Sequence, residues 1–376
     1  MDVQGAAGMK IAFRTDASLQ IGSGHVMRCL TLANALKAQG ADCHFISREH
    51  PGHLLEVIDQ RGYKVHRLAS HVVHTELAQA PAHAAWLGST WQTDATDTAA
   101  ILADLQPNWL VVDHYALDHR WEEALAPHYR KLLVIDDLAD RAHNCDLLLD
   151  QNLGRQPAHY AKWVPAHCRV LTGPHYALLH PEFAALRTYS LQRRKTQPAW
   201  RQLLITMGGV DQTNATGQVL QALKTCALPV DCRITVVMGL TAPWLQNVQQ
   251  LAAQIPFSTD VVVNVSDMAQ RMADSDLAIG AAGSTSWERC CLGLPTLLVV
   301  LADNQRGIAN ALDQAGSATA LELTNPKQFA AQLRRNILHL VGNPTALRRL
   351  GLSASGITDG CGTNLVAAQI LGKLAL

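Results

Sequence analysis

Residues 14–28 read RTDASLQIGSGHVMR, and the fold turns on how this stretch is parsed. Ahead of it, KIAFR (10–14) is a short strand-like run. Gly22 and Gly24 then allow a sharp turn and let a ligand come close to the backbone. From His25 onward Val26, Leu30, Leu32, Ala33 and Leu36 recur at helical spacing, and Gly40 closes the run. The pattern predicts strand, glycine loop and helix. A helix N-terminus behind such a loop offers unpaired N–H groups and a positive dipole end to an anion. His25 is placed to handle a proton beside that anion, although a first-turn histidine serves structure as readily. Met27 stands where the dinucleotide fingerprint has its third glycine, which argues against a nicotinamide or flavin site.

Outward from this stretch, strand-like and helix-like segments alternate. Strands are expected at 43–47, 64–68, 109–113, 132–135, 146–149 and 170–171. Helices are expected at 53–61, 94–105 (with Asp94 as a possible N-cap) and 121–128. Residues 70–93, rich in His and Ala without a clean period, read as a loop or insertion. Residues 188–200 are polar and basic and read as a linker. The alternation then restarts, with strands at 202–206, 234–237, 261–263, 277–279 and 296–301, and two or three helices complete the chain. Alternation of this kind predicts α/β architecture with parallel sheets. The expected domains are 9–187, a linker at 188–200, 201–355, and a C-terminal helix within 356–376. Two such halves predict a cleft between them, lined by loops at the C-terminal strand ends.

A chain of 376 residues that is 48% hydrophobic has ample core for two domains. Its 31 basic and 31 acidic side chains balance, which argues against a nucleic-acid binder; Arg193, Arg194 and Lys195 read as a solvated connector. Nine cysteines without a CxxC pair fit a reducing compartment, so a cytoplasmic protein is expected. No apolar run reaches the roughly 18 residues of a membrane span, and residues 1–8 lack the regions of a signal peptide.

The second chemical signal is GAAGSTSWE (280–288), a small-residue loop followed by three hydroxyl side chains at a helix start. It suits an anion held by backbone N–H groups and hydroxyls, and it is not a Walker A loop because no Lys follows. Glu288 reads equally as the far half of a capping box with Thr285 or as a carboxylate for ribose hydroxyls. Asp274-Ser275-Asp276 imitates a metal motif, but its place between helix and strand favours a turn. Asp136-Asp137 follows a strand with nothing nearby to complete a metal site, and the 17 histidines form no metal-binding pattern.

Six segments together carry a resemblance: IGSGHVMRCLTLANAL (21–36), VVDHYALD (111–118), VIDDLADR (134–141), LTGPHYALLHPEF (171–183), ITMGGVDQTNAT (205–216) and IGAAGSTSWERCCLGLPTLLVVLADNQ (279–305). In order and spacing they resemble the UDP-2,4-diacetamido-2,4,6-trideoxy-β-L-altropyranose hydrolase family of the pseudaminic acid pathway. The resemblance runs from Met9 to about Gly316; the stretch 70–93 and the tail beyond Thr324 depart from it. It implies two Rossmann-like domains of the GT-B type, similar to the peptidoglycan N-acetylglucosaminyltransferase, with UDP held mainly by the C-terminal domain. It implies His25 as the catalytic residue that activates water against the anomeric carbon, Tyr115 lining the sugar pocket beside it, and Asn304 facing phosphate or sugar. Ser284 and Thr285, with the backbone from Gly283, would hold the diphosphate, Glu288 the ribose, and the backbone near Met268 the uracil. Gly22, Gly24, Arg28 and Gly208 complete the expected substrate contacts. Two helix N-termini can stabilise a leaving diphosphate, so neither metal nor cofactor is expected, and the protein is expected to be a monomer. Direct attack by water predicts inversion. A glycosyltransferase of the same architecture, with an acceptor hydroxyl in place of water, and a non-catalytic nucleotide-sugar binding module are the competing readings.

Overall fold

The computed structural model describes residues 8–70, 81–196, 201–240 and 242–373. Within these, residues 8–178 and 362–373 form one compact unit, and Leu179–Cys361 form another. In the first unit the chain lays down β1 (Lys10–Thr15), α1 (Gly24–Lys37), β2 (Asp42–Arg48), α2 (Leu55–Gln60) and β3 (Lys64–Leu68). It continues with α3 (Trp91–Leu105), β4 (Trp109–Asp113), α4 (His119–Leu125), β5 (Lys131–Ile135), β6 (Leu147–Asp150) and β7 (Arg169–Thr172). All seven strands are parallel, in the order β3-β2-β1-β4-β5-β6-β7. The chain works outward from β1 in one direction, then returns to start again at β4 on its other side. That reversal creates the crevice at the strand ends where ligands of such sheets bind.

Alternation along the strands builds a core on each face. Ile11 and Phe13 pack with Val26, Leu30 and Leu36 of α1. Ala12, Leu110 and Val112 pack on the opposite face with Leu102, Trp121 and Leu125. Burial of both faces is why these strands read as continuous apolar runs.

The second unit repeats the plan. It opens with α5 (Pro181–Thr196), then runs β8 (Gln202–Thr206), α6 (Ala215–Leu223), β9 (Arg233–Met238), α7 (Leu245–Ala252), β10 (Ser258–Val263) and α8 (Met268–Asp274). It ends with β11 (Leu277–Ala281), α9 (Thr285–Cys291), β12 (Thr296–Val300), α10 (Arg306–Gln314), β13 (Thr319–Glu322), α11 (Pro326–Gly342) and α12 (Pro344–Ser355). The sheet order β10-β9-β8-β11-β12-β13, again all parallel, puts the reversal between β8 and β11.

Four sequence expectations change. The stretch read as a linker at 188–200 is helical to Thr196, as the C-terminal part of α5, and its residues 197–200 lie outside the described set. Of the three charges read as a solvated connector Lys195 is exposed, but Arg193 and Arg194 are tethers, Arg193 to Asp276, and Arg187 of the same helix is a third tether. Arg187 donates to the carbonyls of Cys291, Ser355 and Thr358, and Arg194 to those of Met272, Ser275 and Leu292. Most of these carbonyls lie at the C-terminal ends of α8, α9 and α12, where a cation also meets the negative end of the helix dipole. Second, α3 starts at Trp91 with Thr90 as its cap, and Asp94 is instead a buried acceptor for Arg14 and Arg48. Third, the C-terminal helix expected within 356–376 is present as α13 (Gly362–Ile370), but it is no separate element: it packs into the first unit through Val366, Ala367, Ile370 and Leu371. Fourth, the stretch 70–93 holds a short 3₁₀ turn, Ala84–Leu87, with residues 71–80 outside the described set.

Candidate active site

At the reversal point of the first sheet, α1 brings His25 against the C-terminal end of β4. Gly22 turns the chain into this position with φ of 81°, a left-handed value that favours glycine. His25 Nδ1 lies 2.6 Å from Asp113 Oδ1. A carboxylate at that distance fixes the proton on Nδ1 and leaves the lone pair on Nε2. Arg28, one helical turn beyond His25, donates from Nε to Asp113 Oδ2 (2.6 Å) and from Nη2 to Asp113 Oδ1 (2.7 Å). It also reaches Asp137 Oδ2 at 2.7 Å, and Tyr115 donates its hydroxyl to the same oxygen at 2.7 Å. Burial alone would raise the Asp113 carboxyl, but the Arg28 charge and the hydrogen bonds from Arg28 and His25 outweigh burial and hold it below the usual carboxylate range. Asp113 is therefore an anion that orients the imidazole.

A second buried layer supports this group. Arg14 bridges Asp16 and Asp94, and Arg48 adds a further bond to Asp94. His114 accepts the Ala116 N–H on Nδ1, so its Nε2 carries the proton and stands 3.2 Å from Asp16 Oδ2. Alongside, the C-terminal ends of β4, β5 and β6 carry Asp113, Asp136-Asp137 and Asp150. Burial and the neighbouring Asp137 charge push Asp150 up to about 7, while Arg155 pulls the other way. Among the described residues no group of three or more His, Cys, Asp or Glu is arranged to hold a metal ion.

In the second unit the loop 280–285 sits at the reversal between β8 and β11. Arg289 is buried beneath it and donates to the Ala281 carbonyl (2.7 Å) and to the Thr285 and Ser286 hydroxyls (3.2 Å each). Because Thr285 Oγ1 accepts from Arg289, its own hydroxyl proton is left to point at a ligand. Desolvation lowers the Arg289 guanidinium to about 10, with Glu288 opposing. Desolvation likewise raises Glu288 to about 7, with Arg289 opposing. The capping box does not form: Ser284 is the N-cap and makes no side-chain cap bond, and among the described residues no hydrogen bond holds the Glu288 carboxylate. The pair Asp274 and Asp276 are structural acceptors. Asp276 takes Arg193 and the N–H groups of Arg201 and Gln202, and Asp274 takes Tyr189 and Gln270.

The predicted residues thus fall into two groups. His25, Arg28 and Tyr115 gather in the first unit, next to Gly22 and Gly24; Tyr115 is only 7% exposed. In the second unit Gly283, Ser284, Thr285 and Glu288 share one loop and helix start, with Asn304 exposed on the turn after β12. Met268 begins α8, and Gly208, with φ of 89°, follows β8. Sequence reasoning missed Asp113 and Arg289, and weighed Asp137 only as a metal ligand. An Asp at the last residue of an apolar strand is the one signal that pointed to the first of them.

Two α/β units, each a parallel sheet with its reversal point open at the strand C-termini, define a two-domain protein of the GT-B fold. In accord, the crystal structure of MurG from Acinetobacter baumannii matches with a TM-score of 0.70 at 17% identity, over 97% of this chain and 99% of that one. Residues 203–354 match the glycosyltransferase family 28 C-terminal domain. The chain is 26% identical over 309 residues to the UDP-2,4-diacetamido-2,4,6-trideoxy-β-L-altropyranose hydrolase of Campylobacter jejuni, covering 82% of this chain and 97% of that protein. It is 24% identical over 303 residues to the uncharacterized protein MJ1062 of Methanocaldococcus jannaschii. That match covers 79% of this chain but 57% of the relative, so it spans little more than half of that protein's length.

Proposed function

We propose that this protein hydrolyses a UDP-linked 2,4-diacetamido-2,4,6-trideoxyhexose, a step of pseudaminic acid synthesis, releasing UDP and free sugar. The observation that carries the reading is the His25–Asp113 pair, with Nδ1 tied at 2.6 Å and Nε2 left as a base. In the proposed step Nε2 takes a proton from water as the water oxygen bonds to C1. The C1–O bond breaks with its electron pair leaving on UDP, and the anomeric centre inverts. Asp113 stabilises the imidazolium that forms, which then returns its proton to solvent or product. Ser284 and Thr285 donate hydroxyl hydrogen bonds to the diphosphate, near the Arg289 charge. Glu288 accepts from the ribose, the backbone near Met268 meets the uracil, and Asn304 faces phosphate or sugar. The Campylobacter relative's name supports hydrolysis, and the family 28 match supports a UDP-sugar as donor. We propose action as a cytoplasmic monomer without metal or cofactor.

That same family 28 match favours a second reading, transfer to an acceptor hydroxyl. Incubation of the UDP-sugar with EDTA in H₂¹⁸O, without acceptor, separates the two. Release of UDP and of sugar labelled at C1, abolished in His25→Asn with UDP affinity retained, is the expected result. Label on phosphate, or an intact donor that still binds, overturns the hydrolase.

A further inference from the structure

We propose that His83 and Trp86, from the segment ahead of α3, form the wall that selects the sugar, favouring one with methyl-bearing, hydroxyl-poor faces. The inference rests on the first unit's dyad acting on a sugar. Tyr115 itself is poorly placed to meet that sugar. Its hydroxyl is given to Asp137, its ring meets the His25 edge at 4.6 Å, and the Arg141 guanidinium lies 6.0 Å from its centre. The aromatic surface continues outward from it. Trp86 lies over Tyr115 with centroids 5.8 Å apart and planes 26° apart, and His83 stands 5.4 Å from Tyr115 and 4.4 Å from Trp86. Four rings therefore form a continuous path from the dyad to half-exposed faces of His83 and Trp86.

The segment that carries these rings is fixed. Leu87 is buried in the core beside Leu68, Ala95 and Leu117. Gly88 takes a left-handed φ of 62° hard against His50, where a Cβ would lie 2.6 Å from the imidazole. Thr90 then caps α3. Anchored behind and open in front, Trp86 offers a rigid face at little entropic loss. Burial lowers the His83 imidazole, with Arg141 and His25 in the same direction and Asp140 opposing, so the ring meets its ligand neutral. The electron-rich face of an aromatic ring attracts C–H groups. A 6-deoxy sugar bearing acetamido methyls presents such groups, whereas a sugar with hydroxyls at C4 and C6 would have to desolvate them without partners.

The test uses the full chain. For the UDP-diacetamido-trideoxyhexose, Trp86→Ala is expected to raise KM about tenfold with kcat within about threefold, and Trp86→Phe to restore most of the loss. Preference over UDP-N-acetylglucosamine should fall by a similar factor, and affinity for UDP alone should stay within about twofold. Saturation-transfer NMR gives a readout independent of turnover. In the wild type the sugar methyls and uracil protons both receive saturation, and in Trp86→Ala the methyl signals fade while the uracil signals persist. If the wild type binds this donor but does not turn it over, hydrolysis fails, and the methyl signals alone decide the wall. An unchanged KM, or methyl saturation kept in Trp86→Ala, overturns the proposal.

Discussion

The decisive perturbation is Asp113→Asn, because one carboxylate serves two donors that an amide cannot serve together. Oδ1 takes His25 Nδ1–H at 2.6 Å and Arg28 Nη2 at 2.7 Å, and Oδ2 takes Arg28 Nε at 2.6 Å. If the amide oxygen replaces Oδ1, its NH₂ faces the Arg28 Nε–H, donor against donor. If it is flipped, the NH₂ faces His25 Nδ1, which must then accept, and the proton moves to Nε2, where the base is needed. Either arrangement leaves Arg28 one hydrogen bond to the amide oxygen and Asp137 as its remaining anionic partner. Breaking a buried ion pair costs about 3–5 kcal/mol, and the surviving Asp137 contact places this case near the lower end. The wrong imidazole tautomer costs about 10⁴ in serine-protease triads, a value measured in those enzymes, and a loss of about 10²–10⁴ in kcat/KM is expected here. UDP release is measured well below the variant's melting temperature, with folding checked by circular dichroism. His25→Asn and the double variant are run in parallel; acting as a unit, the two residues should give a double loss close to the larger single one. A folded Asp113→Asn enzyme within threefold of wild-type kcat/KM would refute the dyad.

Two further outcomes follow from the second unit. Glu288 is raised to about 7 by burial, so the folded protein keeps a proton that an ordinary carboxyl releases near 4.3. Ribose hydroxyls donate to the ionised form, so UDP binding expels that proton: affinity should rise from pH 5.5 to 7.5 and level off above. Titration calorimetry of Glu288→Gln should show a shallower rise, left by the nucleotide phosphate alone; an identical slope would show that Glu288 is not engaged. Arg187→Ala removes bonds to the Cys291, Ser355 and Thr358 carbonyls and should cost about 2–3 kcal/mol, lowering the melting temperature of the second unit by about 5–10 °C. A shift under 2 °C would mean that water replaces the guanidinium freely.

The architecture was legible because parallel strands buried on both faces announce themselves as short apolar runs, and glycines punctuate the loops after β1, β8 and β11. What stayed hidden is long-range pairing. Asp113 lies 85 positions from Arg28 and Asp137 lies 109 from it, so only the strand order brings them together. Asp94 looks like a cap because it sits near a helix start, and only the fold reveals Arg14 and Arg48 waiting for it. Arg187 and Arg194 of α5 gave no sign of their role because their partners are backbone carbonyls, which leave no mark on side-chain patterning, and Arg193 pairs with Asp276, 83 positions away. Arg289 was hidden for another reason: a lone arginine within a small-residue helix start gives no sign of whether it points out to solvent or under the loop.

The return of α13 to the first unit sets an order on synthesis. Residues 179–361 form a continuous stretch and can close as soon as they leave the ribosome. The first unit emerges earlier, yet the pocket over α1 that takes Val366, Ala367 and Ile370 stays unfilled until those residues are made. The unit that is begun first is therefore completed last, and a transcript cut between α12 and α13 would yield a finished second unit joined to a first one with an open apolar seam.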